Sequence, residues 1–293
     1  MGKKKYDVFI IGHLSRDEVV ENGKLEKFVG GAVLFSSYVI SAGGWKTGIL
    51  TKVSKDDTGL LANFNLPSED VYHLTSRQTT SIHNEFLSSD KEKRNCTALG
   101  IADPYKIEDI PDIDAKIYDL GGLIAGDYDN DLIVELSKRG KVAADMQGFL
   151  RRPVGKNMIS MDWKEKKEYL PYIDFLKTDA AEAAVMTGCE DRYEAAKMLN
   201  GWGAKEVMVT HNTEVIVYDG KAFHKAPLKP RNLSGRTGRG DTCFGGYISE
   251  RLGSDPDKAL LYAAALVSLK METPGPFKGT RADVEDYINR FYR

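Results

Sequence analysis

The chain is poor in the residues that would make it a secreted, metal-bound or membrane protein. Its 293 residues include only three cysteines and five histidines. Cys96, Cys189 and Cys243 are widely separated, which leaves no disulfide framework and no metal-spaced pair and suits a reducing cytosol. His13, His73, His83, His211 and His224 show no His-x-x-x-His spacing, so a structural zinc is not expected. Nowhere does an apolar run reach the length of a membrane span. The opening Met-Gly-Lys-Lys-Lys-Tyr-Asp-Val-Phe-Ile-Ile is a basic tail entering a strand, and Asp7 breaks it as a signal peptide. Tyr6 stands where the myristoylation pattern after Met1-Gly2 needs Ser or Thr. Charge of one sign is missing as well. Lys and Arg number 41 against 43 Asp and Glu, and a net charge of −2 gives no electrostatic reason for a nucleic-acid partner. The expectation is a cytoplasmic globular protein with no membrane partner.

Hydrophobic residues make up 42% of the chain, ample for a large core. Tyr6–Ile11 reads as a buried strand. Over 17–29, Asn22-Gly23 between two partly alternating runs signals a hairpin. Residues 32–42 are apolar nearly all round between Gly30-Gly31 and Gly43-Gly44, which predicts a buried helix with a glycine stop. Thr47–Val53 is a further strand. Thr79–Phe86 and Asn95–Ala102 flank a polar Ser-Ser-Asp-Lys-Glu-Lys turn and read as a second hairpin. From residue 115 the rhythm changes. Strands near 116–120, 141–145, 174–178 and 206–210 alternate with helical patterns near 129–139, 179–187 and 191–202. Alternation of this kind predicts an α/β fold, a mostly parallel sheet with helices on both faces. Ligands in such sheets sit beyond the carboxyl ends of the strands. No repeat or linker divides the chain, so 1–293 reads as one domain. Hairpins near 15–30 and 79–103 form a small β lid over the site or a surface decoration.

The most informative stretch is 234–247, Ser-Gly-Arg-Thr-Gly-Arg-Gly-Asp-Thr-Cys-Phe-Gly-Gly-Tyr. Phe244, Tyr247, Ile248 and Leu252 recur at helical spacing, so a helix begins here and Gly253 can stop it. A helix start attracts anions through its unpaired N–H groups and dipole. Gly238 and Gly240 let the backbone approach an anion, and Arg239 adds positive charge. Asp241 is out of place in a phosphate cradle unless it takes a proton from an attacking hydroxyl. It also reads as a helix cap after a glycine turn.

Gly238-Arg239-Gly240-Asp241-Thr242 followed by Gly245-Gly246 resembles the C-terminal signature of the ribokinase (PfkB) family of carbohydrate kinases. Gly12 followed by Asp17, Gly30-Gly31 before a helix, and Val53 through Gly59 are similar to the family's upstream pattern. Short patches resemble its myo-inositol kinase subgroup: Gly12-His13, Ser15, Asp17, Gly30-Gly31-Ala32, Val53-Ser54-Lys55, Thr79-Thr80-x-x-His83, Asp103-Pro104 and Asp145-x-Gln147. The resemblance implies a ribokinase-like sheet with a lid, and ATP- and Mg2+-dependent transfer of the γ-phosphoryl group to a hydroxyl of a sugar or polyol. Asp241 would be the base and Gly238, Arg239 and Gly240 the anion hole. Asp17, Gly30 and Gly31 would hold the substrate, with His83 and Arg94 reaching it from the lid. Thr210 and Gln147 would contact the donor, and Glu182 and Asp179 would act on the metal side. A homodimer through the lid is also implied.

Three departures stand out. Asp179 replaces the family's Asn in Asn-x-x-Glu, and it doubles as a helix cap. Asn212 and Val215 replace the glycines of the turn after Thr210, which touches the nucleotide contacts. Gly235 replaces a usual Asp, while Arg236 and Arg239 are added and can fork onto phosphate oxygens. Pro274-Gly275-Pro276-Phe277 is expected near the adenine. A nucleoside substrate, stacked on Phe28, Phe35 or Phe86, and a non-catalytic sugar sensor of the same fold are the alternatives.

Overall fold

The computed structural model describes residues 2–21, 23–86, 94–155 and 157–293. Fifteen strands are defined among them: β1 (Lys4–Ile11), β2 (Ser15–Glu21), β3 (Lys24–Gly30), β4 (Thr47–Ser54), β5 (Val71–Ser76), β6 (Ser81–Phe86), β7 (Arg94–Gly100), β8 (Ile113–Leu120), β9 (Lys141–Asp145), β10 (Arg151–Val154), β11 (Asn157–Ser160), β12 (Phe175–Asp179), β13 (Glu206–Thr210), β14 (Glu214–Tyr218) and β15 (Phe223–Pro227). The α-helices are α1 (Ala32–Ala42), α2 (Asp131–Ser137), α3 (Gln147–Leu150), α4 (Lys166–Tyr169), α5 (Ala180–Thr187), α6 (Arg192–Gly201), α7 (Arg239–Glu250), α8 (Pro256–Lys270) and α9 (Arg281–Phe291).

The main sheet runs β15-β14-β13-β12-β9-β8-β1-β4-β5. From β13 to β5 every pairing is parallel, and β14 and β15 join antiparallel. Strands covered on both faces need apolar side chains on both, and Val8, Phe9, Ile10 and Ile11 are all fully buried. One face packs Val8, Ile10 and Ile49 against Val33, Phe244 and Leu266 of α1, α7 and α8. The other packs Phe9, Ile11 and Val209 against Leu132, Met186 and Leu199 of α2, α5 and α6. The α/β fold and the buried helix over 32–42 are therefore as expected. The edge strand β5 and the hairpin β10–β11 lie outside the predicted pattern. β10 reads Arg-Arg-Pro-Val, and four residues with a proline carry no strand periodicity.

The lid is a second sheet in the order β3-β2-β6-β7. Each expected hairpin is antiparallel, and the two join through parallel pairing of β2 with β6. Gly23 adopts φ +75, the left-handed turn conformation. Asn22 and the polar turn at 88–93 lie outside the described residues. Ile82 and Cys96 of the lid meet Leu123, Ile124 and Met158 of the body. The unpredicted hairpin thus seats the lid. Met158→Asp should loosen this contact, raising amide exchange in β6 and β7 about tenfold or more, since losing a buried methionine contact costs about 2 kcal/mol or more. Hydrogen exchange by mass spectrometry measures this; unchanged β6 and β7 amides would show that the lid needs no seat.

Candidate active site

Polar side chains gather where the parallel strands end. Asp119 is the penultimate residue of β8, Asp145 and Asp179 end β9 and β12, and Thr210 ends β13. The start of α7 faces this edge. Gly238 is its cap, at φ +77, and a Cβ there would lie 2.3 Å from the Phe35 ring. Only glycine makes this turn against α1. Arg239, Gly240 and Asp241 form the first turn, whose N–H groups lack helical acceptors. A Cβ on Gly240 would stand 3.0 Å from the Lys177 ammonium, so that ammonium lies directly against the turn.

Lys177 is buried and pairs with buried Asp145 at 2.9 Å, across strands in register. Burial works against its charge, but Asp145, Glu182 and Asp241 outweigh it and hold Lys177 above the usual lysine range. Asp241 is half-buried in the first turn of α7. That desolvation, with the like charge of Asp145, lifts it to about 6 against the pull of Lys177, Arg151 and Lys270. Asp119 is buried, and neither carboxylate oxygen has a hydrogen-bond partner. Desolvation first, then Asp145 and Asp241, raise it well above the usual carboxylate range. The site therefore combines a proton acceptor, an anion-binding helix start and a fixed cation beneath it, which is the equipment for phosphoryl transfer to a hydroxyl.

Asp17 lies at the root of the lid. Ser15 Oγ donates to its Oδ2 at 2.9 Å, and Ile82 N to its Oδ1 at 3.1 Å. A Cβ on Gly30 would come within 2.7 Å of that carboxylate, and Gly31, at φ +101, would press a Cβ onto the His13 carbonyl. Asp17, Gly30 and Gly31 thus form one cluster at the exit of β1. Arg94 opens β7 in register with Phe86. His83 lies apart from that cluster. Strand alternation turns Ile82 and Asn84 inward, so His83 faces outward and meets Glu18 at 3.2 Å. It does not join Asp17.

Glu182 and Asp179 cap α5 reciprocally: each side chain accepts the other's backbone N–H, at 3.0 and 2.8 Å. Burial, with Asp179 and Asp145, lifts buried Glu182 to about 7 despite Lys177. Among the described residues no three acidic, histidine or cysteine groups form a metal cage. The donor set instead fits a hydrated magnesium held mostly by phosphates, with an acid beside it. Thr210 Oγ1 donates to the Thr178 carbonyl at 3.4 Å, and Gln147 Oε1 accepts from Arg151 at 2.5 Å. Sequence reasoning missed Lys177, Lys270 and Arg151, while Asp119 lies in the stretch 118–123 expected to end a strand close to the substrate. Nothing local marks the other three, since each element also carries further charged residues. Two cavities open elsewhere. One of about 670 Å³ lies by Ile107, Asp131 and Tyr169; another of about 360 Å³ lies by Ala180, Arg192 and His211, past the ends of β12 and β13.

The description "pfkB family carbohydrate kinase" matches residues 1–281, and the chain belongs to that family. Its members are phosphotransferases acting on hydroxyl groups of sugars or nucleosides. A sulfate-bound pyrophosphate-dependent kinase of the ribokinase family is 35% identical, covering 95% of this chain and 99% of that one, with a TM-score of 0.86. A pyrophosphate-dependent kinase complexed with a pyrophosphate analog and myo-inositol is 34% identical over 95% of this chain and 99% of that one, TM-score 0.85. A cytidine kinase of Thermococcus kodakarensis is 26% identical over 83% of this chain and 87% of its own length. Among the described residues no helix is long and apolar enough to cross a membrane.

Asp119 gives a stability test. Burial raises its carboxyl well above the range near pH 4 in which an unfolded Asp ionises, so its contribution is intact below pH 4 and is lost as pH rises towards the folded value. Asp119→Asn should therefore melt higher than the wild type at pH 7, by at least about 2 °C. The gap should close towards pH 4. A lower melting temperature at pH 7 would mean that Asp119 is ionised and partnered.

Proposed function

We propose that this member of the pfkB family phosphorylates a hydroxyl of a small polyol of the myo-inositol class, with Asp241 as the base. The observation that carries the reading is the start of α7: a helix N-terminus against the Lys177 ammonium, with a carboxyl at about 6 in its first turn. A group with that affinity is ionised at neutral pH and still basic enough to share a proton with a hydroxyl becoming an alkoxide. In this reading the N–H groups of Gly240 and Asp241 receive the transferring phosphoryl oxygens, and Arg239 and Lys177 stabilise their charge. Asp17 and the backbone at Gly30 and Gly31 orient the polyol through adjacent hydroxyls. Glu182 and Asp179 orient the water shell of a magnesium ion that enters with the phosphates and neutralises their charge.

One candidate stacking ring, Phe35, is spent in the core beneath Gly238, which favours a polyol over a nucleoside, while half-buried Phe28 stands opposite Asp17 in register. The Phe86 side chain lies outside the described residues. The relative bound to myo-inositol is also more similar than the cytidine kinase.

For the donor we propose pyrophosphate, with ATP, implied by the family resemblance, as the second reading. Arg236 donates to Asn212 Oδ1 at 2.9 Å, which lays a guanidinium across the turn where the family's glycines are missing. Phe277, expected beside an adenine, packs into the core instead. A donor without base or ribose needs only the charged end of this site. The homodimer implied by the resemblance would join the lids, and light scattering would give its mass.

A phosphate-release and ADP-release screen over myo-inositol, pentoses, hexoses and nucleosides, with pyrophosphate or ATP, tests the reading. We expect turnover with a polyol and pyrophosphate, and a rate that falls as pH drops through about 6. Asp241→Asn should lower kcat by about 10²–10⁴-fold while the donor still binds. Arg239→Ala should raise the donor KM about tenfold, as loss of a charge-assisted pair of about 1.4 kcal/mol would. A nucleoside as the sole acceptor would replace the polyol reading, and an Asp241→Asn enzyme near full activity would overturn the base.

A further inference from the structure

Beside the site, the mechanism above leaves the buried Lys270 without a task. Lys270 ends α8 and is 2% exposed. Lysine is rarely buried without a carboxylate partner, because desolvating an ammonium is costly. Among the described residues the hydrogen-bond acceptors of this ammonium are two backbone carbonyls, Gly235 at 2.5 Å and Thr237. The Phe35 ring centroid lies 5.2 Å away, a cation–π contact. Burial pushes Lys270 down to about 8, and Asp241 is the group that acts against that shift. The two carbonyls belong to the turn that leads directly into Gly238. The same turn is strapped to the end of α8: Gly235 N donates to the Met271 carbonyl at 2.7 Å and Ser234 Oγ to that of Glu272 at 2.8 Å. Gly235 is packed so closely that a Cβ would overlap the Thr273 carbonyl.

Turn carbonyls converging on one positive charge are what a partly dehydrated monovalent cation requires. Here a side chain provides that charge. We infer that Lys270 is a built-in cation of the anion hole, occupying the place a free monovalent ion would need between the Gly235 and Thr237 carbonyls. It orders the turn ahead of Gly238 and sets a fixed positive charge behind the transferring phosphoryl group. It touches no substrate and is a positioning residue. The inference rests on Gly238–Asp241 being the phosphoryl site, and it predicts an enzyme indifferent to potassium, sodium and ammonium.

The test uses the full chain in tetramethylammonium buffer at constant ionic strength, with potassium, sodium or ammonium added. Wild-type turnover should change less than twofold. Lys270→Met should lose about 100-fold in kcat, the scale of one oxyanion-stabilising group. Its acceptor KM should stay within threefold, and ammonium or potassium should restore at least tenfold. Wild-type activation of tenfold by any of these ions would overturn the inference. So would a folded Lys270→Met enzyme within threefold of wild type, or one that no cation rescues. Where the variant does not fold, the wild-type series decides alone. Where no acceptor supports turnover, the phosphoryl-site reading is what has failed, and pyrophosphate calorimetry decides about Lys270: wild-type affinity should be unchanged by potassium, and an affinity that depends on it would overturn the inference.

Discussion

The buried pair between Asp145 and Lys177 is the interaction on which the site depends. Two strands that are neighbours in space but thirty residues apart in sequence place these side chains opposite each other at the sheet's carboxyl edge. A buried pair of this kind adds little stability by itself, because desolvation offsets most of the attraction. Its value here is positional. The Lys177 ammonium sits against Gly240, and its charge reaches Asp241 and Glu182 as well as Asp145. Removing either partner would leave an unpaired buried charge and retune every acid around it.

Close backbone approach is the second constraint, and it explains the glycines better than conformational freedom does. Gly238 packs on Phe35, Gly245 on Ser36 and Val39, and Gly246 on Leu266. α7 is therefore pressed against α1 and α8, and its first turn cannot drift away from the strand ends. Ser36 Oγ donates to the Asp241 carbonyl at 3.3 Å and adds to the same restraint. Geometry at this level decides catalysis, since a misplacement of about 1 Å in a phosphoryl-transfer site costs orders of magnitude in rate.

Much of this was legible in the sequence, for identifiable reasons. Strands buried on both faces, such as β1 and β4, write themselves as unbroken apolar runs, and α1 as an apolar stretch between glycine pairs. The signature at 238–241 is local, so its place at a helix start could be read directly. The lid's two hairpins were legible from turn chemistry, but their parallel joining of β2 to β6 was not, because no local rule encodes it. The face on which His83 lies could not be read from the sequence, because a strand residue's face depends on register. Lys177, Lys270 and Arg151 escaped notice because their importance comes from long-range packing. Each looks ordinary until the fold sets it beside Asp241 or the turn before it.

The same convergence explains how the turn proposed here to bind phosphate can carry a carboxylate. Asp241 and a phosphate repel each other, and in water-free surroundings that repulsion would be severe. Three features reduce it. Burial raises the Asp119 carboxyl well above the usual range, which disfavours its negative charge. Lys177 and Lys270 approach from two different elements, β12 and α8, and both act on Asp241. The α7 N-terminus then contributes its own positive end. Burial pushes Lys270 down, and Asp241 acts against that shift. An arriving phosphate would stabilise those cations, and they in turn would hold it beside the base. In the proposed function this charge complementarity is what would separate a phosphoryl-transfer centre from a capped turn that happens to contain an aspartate.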